Sequence, residues 1–187
     1  MKKAALLFVC ITLSFGCATN KKIIQTKIPS DPYDQLEFSS WRADGRFALN
    51  HKEESFNAKF KWIQRDQLYE LRVSGPLGMN PFIIKGNDYG IQAIDGNNTE
   101  QLDSFEVITQ ELPIQFLKYW IMGYPSPESV SENVILSQSY TEFTQFDWNI
   151  KINEYQQNKT INFPKRIYIN NTKTNVRIII DKWQLKN

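Results

Sequence analysis

The chain has 187 residues, with 22 Lys and Arg against 20 Asp and Glu, two cysteines and one histidine. So even a balance of charge leaves no basic excess for nucleic acid, which needs clustered phosphate contacts. Both cysteines lie within the first seventeen residues, so the rest of the chain has neither cysteines nor paired histidines to supply the ligands of a zinc centre.

Met1-Lys2-Lys3 leads into an apolar run from Ala4 to Phe15, followed by Gly16-Cys17. The run is too short to cross a bilayer, which takes about 20 residues at about 1.5 Å rise each. A charged start, a short apolar stretch and a small residue before cysteine read as a bacterial export signal over residues 1–16, ending at a lipidation site on Cys17. The site is imperfect: Ser14 and Phe15 stand where a leucine and a small residue are customary, and Leu13 lies one step further out. An ordinary cleaved signal followed by a chance cysteine is the alternative. A lone thiol in an exported chain has no disulfide partner, which makes acylation its better use. Ala18, rather than Asp, after the cysteine favours the outer membrane, with the body facing the periplasm. Removal of Lys2 and Lys3 brings the 22 basic residues level with the 20 acidic ones.

Residues 17–39 read as the lipidated N-terminus and a tether, with Lys21, Lys22, Lys27, Pro29 and Pro32 and no sustained period. As flexible coil the tether reaches on the order of 25 Å. Residues 40–187 form one domain, expected to act as a monomer and to hold its core by burial alone.

From Trp41 the period is two. Trp41, Ala43, Gly45, Phe47 and Leu49 share one face, as do Phe56, Ala58, Phe60 and Trp62, then Tyr69, Leu71 and Val73. Short links such as Gln64–Gln67 suit hairpins. Phe82–Lys85, which includes Ile84, and Tyr89–Asp95 add two strands. The period then lengthens. Phe105, Ile108 and Leu112 suit a short helix, and Pro113 opens a second in which Phe116, Leu117, Trp120 and Ile121 form an apolar stripe. Gly123 and Pro125 end it. Strands resume at Val134–Ser137, then through Phe146, Trp148, Ile150 and Ile152, through Ile161, Phe163, Ile167 and Ile169, and finally through Val176, Ile178 and Ile180. Trp183 and Leu185 close the chain. The expectation is a mainly β fold of about ten antiparallel strands, wrapped with one face inward and interrupted once by helices.

Catalytic signatures are missing. His51 sits in the polar stretch His51-Lys52-Glu53-Glu54 and reads as a solvated turn residue. No serine elbow, phosphate loop or dinucleotide fingerprint appears. Asp44, Glu70 and Asp181 fall on strands that could face a cavity, but nothing pairs them, so enzyme is the weakest reading. The chain instead offers aromatic and aliphatic bulk on one sheet face, either as packed core or as the lining of a pocket. Gly75-Pro76-Leu77-Gly78-Met79-Asn80-Pro81 is a turn segment that carries apolar side chains. Turns run over the surface, so Leu77 and Met79 either fold back or present a hydrophobic tip.

In order and spacing, Trp41 with Gly45-Arg46-Phe47-Ala48, Phe60 with Trp62, Tyr69 with Leu71, Pro76-Leu77-Gly78, Leu112-Pro113, Leu117, Trp120-Ile121 with Gly123 and Pro125, Pro164, Ile167 and Val176–Ile180 with Trp183 resemble the LolB family of bacterial outer-membrane lipoprotein receptors. The likeness covers nearly all of the chain after the tether, and departs from the family at the lipidation site and the longer loop after Leu77. It implies an unclosed antiparallel β-barrel enclosing a hydrophobic cavity under a helical lid. Lining candidates are Phe47, Phe60, Trp62, Tyr69, Leu71, Ile84, Trp148, Ile150 and Ile178; lid candidates are Phe105, Ile108, Leu112, Phe116, Leu117 and Trp120. The resemblance further implies acylated lipoprotein as cargo, a LolA-type periplasmic carrier as donor, no cofactor, and a membrane-inserting loop at Pro76, Leu77, Gly78 and Met79 with Leu77 at its tip. A binder of other lipophilic ligands, or a structural envelope lipoprotein with a filled core, are the other readings.

Overall fold

The computed structural model describes residues 40–78, 81–96, 107–137, 139–158 and 161–186. Five strands come first: β1 (Ser40–His51), β2 (Glu54–Arg65), β3 (Leu68–Ser74), β4 (Phe82–Asn87) and β5 (Gly90–Gly96). A wide helical turn (Val107–Glu111) and helix α1 (Ile114–Trp120) follow. The last five are β6 (Glu132–Leu136), β7 (Thr141–Gln145), β8 (Trp148–Asn158), β9 (Ile161–Asn170) and β10 (Thr174–Lys186). The export signal, Cys17 and the tether lie outside the described residues.

All ten strands form one antiparallel sheet in the order β5-β4-β3-β2-β1-β10-β9-β8-β7-β6. Two five-strand meanders meet where β1 pairs with β10, from Ser40 with Lys186 to His51 with Thr174. The edges are β5 and β6, and the helical segment is the connection between them. That segment touches the inner face widely: Trp120 lies 6.4 Å from Trp148 of β8, and Gly123 lies against Pro164 of β9 and Ile152 of β8. The same segment meets β1, β2, β3 and β10 from Ile108 to Ile121. One short segment reaches so many strands only if the sheet curls around it, as wide twisted sheets do. The result is an unclosed half-barrel with a helical roof.

Turn chemistry sets the registers. Lys52-Glu53 and Asp66-Gln67 are two-residue hairpin links, with positive φ at Lys52 and Asp66. Phe146-Asp147 links β7 to β8 with φ of 52° and 62°, the double-positive geometry that matches strand twist. This corrects two expectations. Phe146 is a turn residue stacked on Phe116 at 4.3 Å rather than an inward strand residue. Its neighbours form β7, which the sequence reading lacked because its inward residues include Thr141 and Gln145, polar yet buried. The two pieces Ile161–Phe163 and Ile167–Ile169 are one strand; Pro164 lies inside it, paired with Tyr155 next to a bulge where a missing N–H is tolerated.

His51 is also corrected. It ends β1 on the inner side, 5% exposed, with Nδ1 2.7 Å from Thr174 Oγ1 across the β1–β10 pair. The turn occupies only Lys52-Glu53, so the inward alternation of Leu49 continues to His51. The three carboxylates face out. Asp44 is held by Arg42 at 2.8 Å, Glu70 by Arg72 at 2.6 Å and Asp181 by Arg46 at 2.5 Å.

The β1–β10 seam carries a bulge: Asp44 pairs with Lys182, but Gly45 pairs with Ile180, leaving Asp181 over. An extra residue shifts the inward set by one, so Ile180 and Trp183 both point into the core. It also bends the strand and deepens twist. Gly45 is needed there, since a Cβ would stand 2.3 Å from the Ile179 carbonyl oxygen and 2.8 Å from the Phe60 ring. Gly45→Ala is expected to destabilise the fold by about 1–3 kcal/mol. A lower urea midpoint with unchanged slope checks this.

Candidate functional site

Between the inner face and the roof lies a hollow of about 40 Å³. Phe47, Phe60, Trp62, Leu71, Val73, Val176 and Ile178 line it from the sheet; Ile108, Leu112, Ile114, Leu117 and Ile121 line it from the roof. Every lining residue is apolar. A cavity of about 150 Å³ holds a benzene ring, so the hollow in this closed form has no room for an acyl chain.

Of the lining candidates, Phe47, Phe60, Trp62, Leu71 and Ile178 meet there, and of the roof candidates Ile108, Leu112 and Leu117. Tyr69, Ile84, Trp148 and Ile150 do not. They share the inner face but are packed at its flanks: Ile84 and Ile150 are fully buried, and Tyr69 rests 5.4 Å from Trp62. Ten strands carry more inner face than one hollow can use. Val73 and Val176 were missed, although alternation makes them same-face neighbours of Leu71 and Ile178. Ile114 completes the Leu117 and Ile121 stripe at helical spacing. Phe105 and Met79 lie outside the described residues.

Phe116 and Trp120 fasten the roof rather than line the hollow. The Trp120 indole N–H donates to Gln145 Oε1 at 2.9 Å, and that oxygen also accepts the Ser126 N–H at 2.8 Å. Gln145 Nε2 donates to the Ser126 and Ser129 carbonyls at 2.8 and 2.9 Å. A buried amide with both ends satisfied is a specific clamp, and it ties the end of α1 and the following loop to β7. At the opposite edge Lys118 pairs with Asp88 in the β4–β5 turn, with side chains 11% and 21% exposed. The roof is therefore latched to both meanders, and its middle makes only apolar contact.

Leu77 lies in the tight turn Pro76–Gly78 after β3 and is 95% exposed. Its backbone is left-handed, at φ 58° and ψ 17°, which costs a branched residue on the order of 1 kcal/mol. Strain and exposure together are unusual for leucine in a turn that glycine would suit. Phe47, which lines the hollow, also borders an outer groove reaching Gly75 and Pro76, so one residue joins the surroundings of the loop to those of the hollow.

Fold and site together define a class: an open antiparallel half-barrel with an apolar inner face, roofed by the crossover between its edges. The LolB family model, described as Outer membrane lipoprotein LolB, matches residues 39–183, and the chain belongs to that family. It is an outer-membrane lipoprotein of the Lol lipoprotein-localisation system. The outer-membrane lipoprotein LolB of Pseudomonas aeruginosa (strain PAO1) is 26% identical over 155 residues, spanning 79% of this chain and 76% of that one. The LolB of Ectopseudomonas mendocina (strain ymp) is 26% identical over 200 residues, spanning 98% and 97%. Among solved structures, a LolA superfamily protein from Nitrosomonas europaea aligns over 81% of this chain and 88% of its own, with TM-score 0.44 and 8% identity.

Two outcomes follow from this geometry. Asp88→Ala removes a partly buried ion pair worth about 1–2 kcal/mol, and is expected to raise local opening of the roof segment roughly 5- to 30-fold. Faster hydrogen exchange across residues 114–120, with uptake of a fluorescent apolar probe increased, checks it. Tyr69 concerns stability alone. Its hydroxyl has no partner among the described residues, and a Cβ on Gly86 would stand 2.4 Å from it. Burial pushes the phenol from 10.0 up to about 12. A raised folded pKa contributes stability that is full below pH 10 and lost as pH rises towards 12. Tyr69→Phe should therefore flatten the alkaline limb of urea-midpoint against pH.

Proposed function

We propose that the protein accepts acylated lipoproteins from a LolA-type periplasmic carrier and inserts them into the outer membrane, without covalent chemistry of its own. In this reading Cys17 carries the anchoring acyl chains and residues 17–39 are the tether. The roofed half-barrel over residues 40–187 receives the cargo. Burial of acyl chain is worth about 0.8 kcal/mol per CH₂, so a multiply acylated protein does not cross water unaided at a useful rate. It passes between apolar surfaces of nearly matched free energy. An apolar inner face under a displaceable roof is one such surface, and the bilayer is the next.

The observation that carries the reading is Leu77, 95% exposed on a left-handed turn of a sheet whose inner face holds an all-apolar hollow. A leucine held out at that cost gains nothing in water and gains burial in lipid. The small volume of the hollow favours one second reading, a structural envelope lipoprotein with a filled core. Apolar probe binding separates them, since a filled core takes up none even with Asp88→Ala.

Leu77→Glu is expected to leave cargo uptake intact and to impair transfer to liposomes by an order of magnitude or more, because burying a carboxylate in lipid costs about 2 kcal/mol or more. Loading the variant with an acylated lipoprotein and following delivery tests this; undiminished delivery overturns the role of the loop. Cys17→Ala behind a cleavable signal should release the body from stable anchoring, leaving only reversible, salt-sensitive contact with membranes. Mass spectrometry showing native Cys17 without acyl groups would refute the anchor.

A further inference from the structure

On the outer face, beside the Leu77 turn, lies a groove of about 220 Å³ with Gly75 and Pro76 forming one wall. Its floor is apolar, from Ala48 and Ile179, and three cations rim it: Arg46, Lys59 and Arg177. Strand register brings them together. Arg46 lies directly opposite Lys59 on β2 and opposite Ile179 on β10, and Ala48 lies opposite Arg177. Like charges facing each other across an antiparallel pair are destabilising. Asp181 pairs with Arg46 at 2.5 Å. Lys59 and Arg177 are exposed and have no acidic partner among the described residues. The mature chain as read above has no net basic excess, so this concentration of positive charge is local. It also falls beside the turn that holds Leu77 out into solvent.

We propose that this groove binds the phosphate of anionic phospholipid headgroups at the membrane surface, a contact that rests on the reading of Leu77 as a membrane-inserting tip. Charge complementarity and position select this occupant. With Leu77 in the acyl region, Gly75 and Pro76 stand at headgroup depth, and Lys59 and Arg177 face the phosphate layer. Ala48 and Ile179 fit the glycerol and first methylenes. Phe47 borders both groove and hollow, so headgroups seated in the groove hold the mouth of the hollow against the bilayer. The cations thereby set the orientation in which cargo leaves.

The test uses the full chain with Cys17→Ala, so that no acyl anchor contributes, and vesicles of phosphatidylethanolamine with phosphatidylglycerol or of phosphatidylcholine alone. Lys59→Gln with Arg177→Gln should weaken binding to the anionic vesicles on the order of 10- to 30-fold, at about 1 kcal/mol for each of the two cations, and leave the neutral ones unaffected. Added salt should abolish the difference between wild type and variant. Lys59→Gln relieves a like-charge pair, so its urea midpoint should hold or rise, which removes misfolding as an explanation; Arg177→Lys should retain binding. Equal binding of wild type and double variant to anionic vesicles overturns the proposal. So does binding of inorganic phosphate alone that leaves vesicle binding unchanged, or weakened cargo capture from the carrier with vesicle binding intact, which would make the groove a protein-docking face. Leu77→Glu separates the two readings. If it alone loses vesicle binding, the groove fails; if the double variant alone loses it, the groove stands and the inserting loop fails.

Discussion

The pairing of the first strand with the last governs this molecule. By joining in the middle of the sheet, β1 and β10 place β5 and β6 at opposite edges. The chain between those edges must then cross from one meander to the other. Its apolar stripe finds cover only against the inner face, so the crossover becomes a roof. The bulge on the same seam adds bend, leaves no room for a side chain at Gly45 and turns Asp181 outward to Arg46. Curvature, roof and outer charge pattern thus share one origin.

The roof is held by unlike means at its middle and its margins. Its middle is aliphatic against aliphatic and aromatic, a contact that is non-directional and indifferent to small displacement. Its margins are polar and directional, with Lys118 to Asp88 at one edge and Trp120 to Gln145 at the other. Apolar burial holds the middle of the roof to the inner face without fixing its position, while the two polar fastenings fix its register against the two meanders. A small closed hollow suits such an arrangement. An empty apolar void would leave its lining without dispersion partners, and a roof that nearly fills it removes that cost.

Inside and outside of the same strands do different work. Alternation along β1 sends Phe47 towards the hollow and Arg46 to the outer groove, one residue apart. A membrane offers matching layers, hydrocarbon beneath phosphate, separated by a few ångströms. In the proposed reading, Leu77 answers to the hydrocarbon layer and the cations around Ala48 to the phosphate layer above it.

Much of this was legible in the residues. Period-two alternation marked the strands from Trp41 to Val73 and from Trp148 onwards, because one buried face imposes it. The change to helical spacing between Ile108 and Ile121 marked the roof, and glycine and proline marked the Leu77 turn. Other features were not. Thr141 and Gln145 read as polar, and only their partners in space make them interior. His51 read as turn because its neighbours are charged. Tyr69, Ile84, Trp148 and Ile150 share a face with the lining residues, and alternation cannot tell flank from centre. The sequence by itself determined which side of each strand is apolar, where the period changes and which turn carries a leucine, since these follow from local geometry. Tertiary structure alone decided which inner residues meet the roof, what latches it and which outer cations converge, because those depend on pairing β1 with β10 across nearly the whole domain.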